Sequence, residues 1–161
     1  MAQTDGEVSF KEAVRYATQS GIAIDGSLPG DEMDIAALER RLNVRLPPSY
    51  KAMVRLYGTV SFDAVEIYGL TKLTGLDGKG IPNVVFATED DRQRGIIGPG
   101  MVSFMVAGYG PTFILDCNEA DEFGEAPVYE VATGGIAVGR DKLAVSFGHF
   151  VLEEVKNLSE T

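Results

Sequence analysis

Apolar residues along this chain recur at helical spacing near both ends and alternate in between. Phe10, Val14 and Ala17 fall at intervals of four and three, which puts them on one helix face. Ser9-Phe10-Lys11-Glu12 has the form of a capping box, so the pattern predicts a helix over about residues 9–20, closed by Gly21. IAIDGSLPGDE is dense in turn residues and reads as a loop. Ile35, Leu38 and Leu42 then mark a second helix, with Asp31 or Asp34 at its cap. That helix must stop before Leu46-Pro47-Pro48, because a residue preceding proline is pushed out of the helical region. Proline is nevertheless welcome in a first helical turn. A third helix, SYKAMVRLYG, therefore starts at Pro48, gathers Tyr50, Met53, Val54 and Tyr57 on one side, and ends at Gly58.

Beyond this corner the period changes from helix to strand. VEIYGL, residues 65–70, alternates and is rich in β-branched and aromatic residues. VVFAT reads either as a short strand or as the approach to a helical turn, EDDRQRG. MVSFMVA and TFILD are predicted strands joined by a turn at GYGP. NEADEFGEA is an acidic loop, PVYEVA a further strand and IAVGR a short final one. Leu143, Phe147, Phe150, Val151, Val155 and Leu158 then recur at helical spacing and predict an amphipathic C-terminal helix. Helices, then strands with short connections, then a helix point to an α+β fold with a mostly antiparallel twisted sheet.

Length and composition narrow the class. A chain of 161 residues with 45% hydrophobic and 24% charged side chains suits one globular domain with a sizeable core. No apolar run reaches the ~18 residues a membrane span needs, so no membrane partner is expected. MAQTDGEVSFKEAV lacks the basic-then-apolar order of a secretory leader. With Cys117 as the sole cysteine, no intrachain disulfide can form, and a reducing, cytoplasmic compartment is expected. Net charge is −10. Residues 1–80 hold 11 acidic and 9 basic side chains, whereas residues 81–161 hold 13 and 5. Within Asp116–Glu130 stand six carboxylates and no Lys or Arg. Such a field repels phosphate backbones, which argues against direct nucleic-acid binding, and it attracts a basic protein.

Catalytic chemistry is thinly supplied. His149 is the only histidine, and FGHF places it beside the apolar stripe of the last helix. Cys117 is flanked by Asp116 and followed by Glu119, Asp121 and Glu122, which oppose thiolate formation. One His and one Cys cannot build a zinc site of the common kind, and DCNEADE lacks the mid-loop glycine of a calcium loop. The glycine-rich stretches GLDGKG and GPGMVSFMVAGYG contain no phosphate-binding signature. No enzyme activity, metal or cofactor is expected.

Several stretches, taken together, resemble the SUKH superfamily. They are ALERRLNVRLPPSYKAMVRLYG (residues 37–58), VEIYGL (65–70), VSFMVAGYGPTFILD followed by APVYEV, and LAVSFGHFVLEEV (143–155). That group includes fungal cell-wall-assembly regulators and many bacterial toxin-immunity proteins. The resemblance implies an α+β domain over residues 31–161, preceded by a helical extension over 1–30. It also implies a protein-binding role. For a bacterial member that role is immunity, in which the domain docks onto a cognate toxin, often a basic nuclease, and blocks it. The alternative is a regulatory interaction scaffold. A third possibility is a small-molecule binder or enzyme working through His149 or Cys117. The expected partner surface comprises Glu89, Asp90 and Asp91, the acidic residues Asp116, Glu119, Asp121, Glu122 and Glu125, and two aromatic anchors, Phe123 and Tyr109. Leu46, Pro47, Tyr50, Phe147 and Phe150 are expected to be architecture, as are Glu39 and Gly69. The chain is expected to be a monomer or a weak homo-oligomer.

Overall fold

The computed structural model describes residues 2–108 and 110–160. Five helices and seven strands follow in the order α1 (Asp5–Gln19), β1 (Ile24–Gly26), α2 (Glu32–Leu42), α3 (Pro48–Tyr57), β2 (Val60–Phe62), β3 (Val65–Ile67), α4 (Val84–Gln93), β4 (Met101–Val106), β5 (Thr112–Asp116), β6 (Val128–Val131), β7 (Arg140–Ala144) and α5 (Phe147–Ser159). The strands form two antiparallel sheets, β1-β2-β3 and β4-β5-β6-β7. This is the α+β fold expected. The hydrogen bond from Tyr68 N to Phe104 O, 2.8 Å, links the two sheets.

Local chemistry explains most element ends. α1 begins earlier than Ser9. Thr4 is its N-cap and Glu7 completes the capping box, so the box predicted at Ser9–Glu12 lies inside the helix. Asp31 caps α2 with Asp34 as its reciprocal partner, and both candidate caps are therefore used. The proline corner forms as expected, with Pro47 at the cap of α3 and Gly58 closing it. Glu39 braces the corner by accepting from Leu46 N at 2.7 Å. Tyr50, fully buried, donates its hydroxyl to Tyr68 O at 2.7 Å. Gly69 has no room for a side chain, since a Cβ there would lie 2.1 Å from Gly58 O.

Several stretches resolve or depart from expectation, and residues 136–138 of IAVGR form a turn ahead of β7 instead of a strand. VVFAT is helical, because the Asn83 side chain caps Val85 N and Phe86 N and the helix buries Val84, Val85 and Thr88. β1 departs from the loop reading of its segment and pairs with β2. Ile24 pairs with Phe62 and Gly26 with Val60, and such pairing is a long-range event that no local signal announces. Leu143 belongs to β7 rather than to the terminal helix. A bulge between Val128 and Tyr129 leaves it unpaired, and it is 45% exposed.

One main core joins the helices to the sheets. Phe147 lies among Phe10, Tyr50 and Phe104, with ring centroids 5.9, 5.1 and 5.4 Å away. A smaller cluster of Ile97, Ile114 and Val131 covers the other face of the four-stranded sheet. Phe10, Ala13 and Ala17 of α1 are fully buried in the main core, and β1 completes a sheet. α1 and α5 touch backbone to backbone, since a Cβ at Gly148 would lie 1.7 Å from Gly6 O.

Candidate functional site

The acidic segment after β5 was expected to form one negative face, and the fold instead divides it. Asp116 ends β5 and is buried. Its carboxylate accepts from Arg140 Nη1 at 2.6 Å and from Asn118 N at 3.0 Å. The Arg140 guanidinium lies over the Tyr129 ring, 3.8 Å from its centroid. Glu119 accepts from the Tyr129 hydroxyl and, at 3.4 Å, from Arg140 Nη2. Arg140 is thus held as a cation above its ordinary range, chiefly by its hydrogen bond to Asp116.

Glu125 is 4% exposed, and among the described residues it forms no ion pair. Its carboxylate accepts from Thr4 Oγ1 at 2.6 Å, Ser49 N at 3.0 Å and Ser49 Oγ at 2.8 Å. Ser49 Oγ in turn accepts from Gly148 N at 3.1 Å. Thr4, Ser49 and Gly148 belong to the first turns or caps of α1, α3 and α5. Three helix N-termini therefore converge on one buried acid, and their positive ends stabilise it where no Lys or Arg does. Gly6 is required beside it, since a Cβ there would approach Glu125 Oε2 to 2.6 Å.

The loop between them is tightly wound. Asp121 Oδ1 accepts from Phe123 N at 2.9 Å and Glu125 N at 3.0 Å, and Asp121 N donates to Glu125 O at 2.8 Å. Gly124 takes φ +89° against Pro48. Phe123 is the consequence: it stands 66% exposed at the tip of a loop whose backbone is pinned on both sides. A cleft of about 310 Å³ flanks it toward Thr4 and His149, and another of about 510 Å³ toward Arg45 and Lys51. Glu122 is exposed beside it. Among the described residues the structure gives Glu122 no ion pair or side-chain hydrogen bond.

The second acidic stretch lies on α4. Arg41 holds Glu89 at 2.8 Å and also reaches Asp77 at 2.8 Å. Asp90 is 3.5 Å from Arg94. Asp91 is half-buried and accepts from Ser103 Oγ at 2.7 Å; burial pushes its carboxyl above the usual range. Tyr109 lies outside the described residues. The expected surface therefore resolves into an exposed tip of Asp121, Glu122 and Phe123, with Asp116 and Glu125 turned inward and most of the other acids engaged internally. Sequence reasoning overlooked Thr4, Ser49 and Arg140, which hold this arrangement. It overlooked Arg92 too, whose Nη atoms donate to Leu42 O at 2.8 Å and Met101 O at 2.9 Å.

The nucleophile candidates have structural duties. Burial, with Asp116 next in weight, pushes the Cys117 thiol up to about 12, far from a thiolate at neutral pH. His149 Nδ1 is 2.6 Å from Ser146 Oγ, the atom that caps α5 by accepting from His149 N. Among the described residues no group of three or more His, Cys, Asp or Glu side chains is placed to share a metal ion. None of their helices is long and apolar enough to cross a membrane.

No curated protein matches the chain. A family model does, the one described as SMI1-KNR4 cell-wall, and it spans residues 11–156. Its members are in general immunity or regulatory interaction proteins without enzyme activity. The proline corner, the two antiparallel sheets and most of the terminal helix fall within the matched span, and the chain belongs to this SUKH family.

Proposed function

We propose that this protein is a non-enzymatic immunity-type protein that binds a cognate toxin domain and neutralises it, with Phe123 at the centre of the contact. The observation that carries the reading is the pinned, exposed Phe123. A large aromatic side chain on a loop already ordered by Asp121 and Glu125 loses little conformational freedom on docking, and aromatic anchors dominate many interfaces. Glu122 and Asp121 border it with negative charge, and the chain as a whole carries −10. A basic toxin domain, such as a nuclease that grips phosphates, is the partner this charge would steer. Arg45 and Lys51 line the cleft on one side of the tip, so the acidic border is one-sided.

The test is growth rescue. A toxin domain captured by the purified protein is expressed in a bacterial host together with wild-type protein, Phe123→Ala or Glu122→Lys. Wild type should rescue growth, and Phe123→Ala should weaken the purified complex by about thirtyfold or more, about 2 kcal/mol. Glu122→Lys should mainly slow association, and more so at low salt. Equal rescue and equal affinity for all three proteins would remove this tip from the account. A regulatory scaffold of the cell-wall-assembly type is the second reading. It is favoured by an apolar cleft elsewhere on the surface, beside Leu73 and Ile81, which offers another place to bind.

A further inference from the structure

The cleft beside β1 has the opposite character from the acidic tip. It has a volume of about 470 Å³ and lies between the turn after β1 and the loop over residues 71–83. Leu28, Leu73 and Ile81 on its walls are 46%, 89% and 58% exposed. Scattered exposed apolar residues need no explanation, but three such side chains around one cleft form a patch of the kind that marks a binding surface. The only charged side chains lining it are Lys72 and Lys79. Lys72 shares Asp34 at 3.3 Å. Lys79 has no acidic partner among the described residues, and Asp77, two positions away, is held by Arg41 at 2.8 Å. In a chain of net charge −10 this is a local inversion of sign.

The loop that presents these groups is ordered before anything binds. Asn83 Nδ2 donates to Gly78 O at 2.7 Å and Gly75 O at 3.3 Å, while Asn83 Oδ1 caps α4. Gly75 N donates to Thr71 O at 2.9 Å, and Asn83 N to Gly80 O at 3.2 Å. A preformed apolar surface with an uncommitted ammonium lowers the ordering cost of association.

We infer that this cleft is a second docking site, for an extended segment of another protein that carries bulky apolar side chains next to Asp or Glu. The apolar side chains would cover Leu28, Leu73 and Ile81, and a carboxylate would pair with Lys79. Charge complementarity selects an acidic partner over a basic one. Apolar surface continuing over the rim onto Leu73 suits a polypeptide better than an enclosed small molecule. The cleft shares no lining residue with those flanking Phe123, so this inference and the toxin-binding reading stand or fall separately.

A phage-displayed library of random dodecapeptides, panned on the full-length protein, tests it directly. The selected peptides should combine Leu, Ile, Phe or Met with two or more Asp or Glu. Synthetic versions, measured by fluorescence polarisation, should bind about tenfold or more weakly to Lys79→Glu and to Leu73→Ala, and equally well to Phe123→Ala. Affinity should fall as salt rises. Both substituted side chains are exposed, and unchanged thermal melting of each variant will show that the fold is intact. Selection of basic peptides, failure to select any, or binding indifferent to Lys79 and Leu73 would each overturn the inference. So would concentration-dependent self-association lost in Leu73→Ala, since the occupant would then be a second copy of this chain.

Discussion

Two surface loops of this protein treat their side chains in opposite ways. The segment Asp116–Glu125 is the most acidic in the sequence, yet the fold turns most of that charge inward or pairs it. Asp116 meets Arg140, Glu119 meets Tyr129 and Arg140, and Glu125 sits against three helix N-termini. What it shows to solvent is an aromatic ring, Phe123, with Glu122 beside it. The loop over residues 71–83 is short of carboxylates and shows solvent its apolar side chains and Lys79, which has no acidic partner among the described residues. The difference teaches that local charge density is a poor guide to surface potential. A carboxylate beside a helix N-terminus or an arginine is retained inside, because leaving those donors unmet costs more than burying the acid.

Substitutions that break the inward-facing region should therefore cost stability, and those in the outward-facing loops should not. The largest effect is expected at the α1–α5 contact. Gly148→Ala places a methyl group where Gly6 O stands, and denaturant unfolding should show a loss above about 3 kcal/mol. Glu125→Ala comes next, at about 3 kcal/mol, because Thr4 Oγ1 and the Ser49 donors lose their acceptor, the Ser49 pair in a buried site. Unfolding of this variant at wild-type denaturant concentrations would show that the acid is peripheral after all. Asp116→Ala should cost about 2 kcal/mol, since it takes the shortest ion pair from a partly buried Arg140 and leaves it only Glu119 and the Tyr129 ring.

A smaller effect, at or below about 1 kcal/mol after solvent screening, is expected for Asp91→Asn. Burial raises the Asp91 carboxyl in the folded state. The favourable contribution of its protonated form is thus complete below the unfolded value and lost as pH rises through the folded one. Asparagine does not titrate, so the variant should gain on the wild type as pH rises from about 4 toward 7. A constant difference across that range, measured by thermal melting, would refute the assignment. The smallest effects belong to the outward loops: Phe123→Ala and Leu73→Ala should each melt within about 0.5 kcal/mol of wild type.

Much of the fold was legible because it is written in short-range chemistry. The proline corner follows from the restriction proline places on its predecessor, and Glu39, Tyr50 and Gly69 then brace it as expected. The central hairpin strands and the terminal helix follow from apolar periodicity. The N-cap of α1 lies five residues before the expected Ser9, because Ser9-Phe10-Lys11-Glu12 and Thr4-Asp5-Gly6-Glu7 both satisfy the capping pattern. Only packing against Glu125 and α5 selects the earlier one. The site was less legible. Phe123 was visible as an aromatic among acids, but whether it filled its own core or faced outward depended on Asp121 and Gly124 winding the loop.

The amino-acid order alone determined the class of fold, the helix corner, the strand periodicity and the poverty of catalytic groups, since each depends on neighbours within a few positions. Tertiary structure alone decided which carboxylates face water, that α1 belongs to the common core, and that an apolar cleft opens beside Lys79. Those outcomes depend on distant groups meeting, as Thr4 and Ser49 meet Glu125 across 121 and 76 positions of chain. No local pattern encodes such a meeting, because the energy that selects it exists only once the helices have packed.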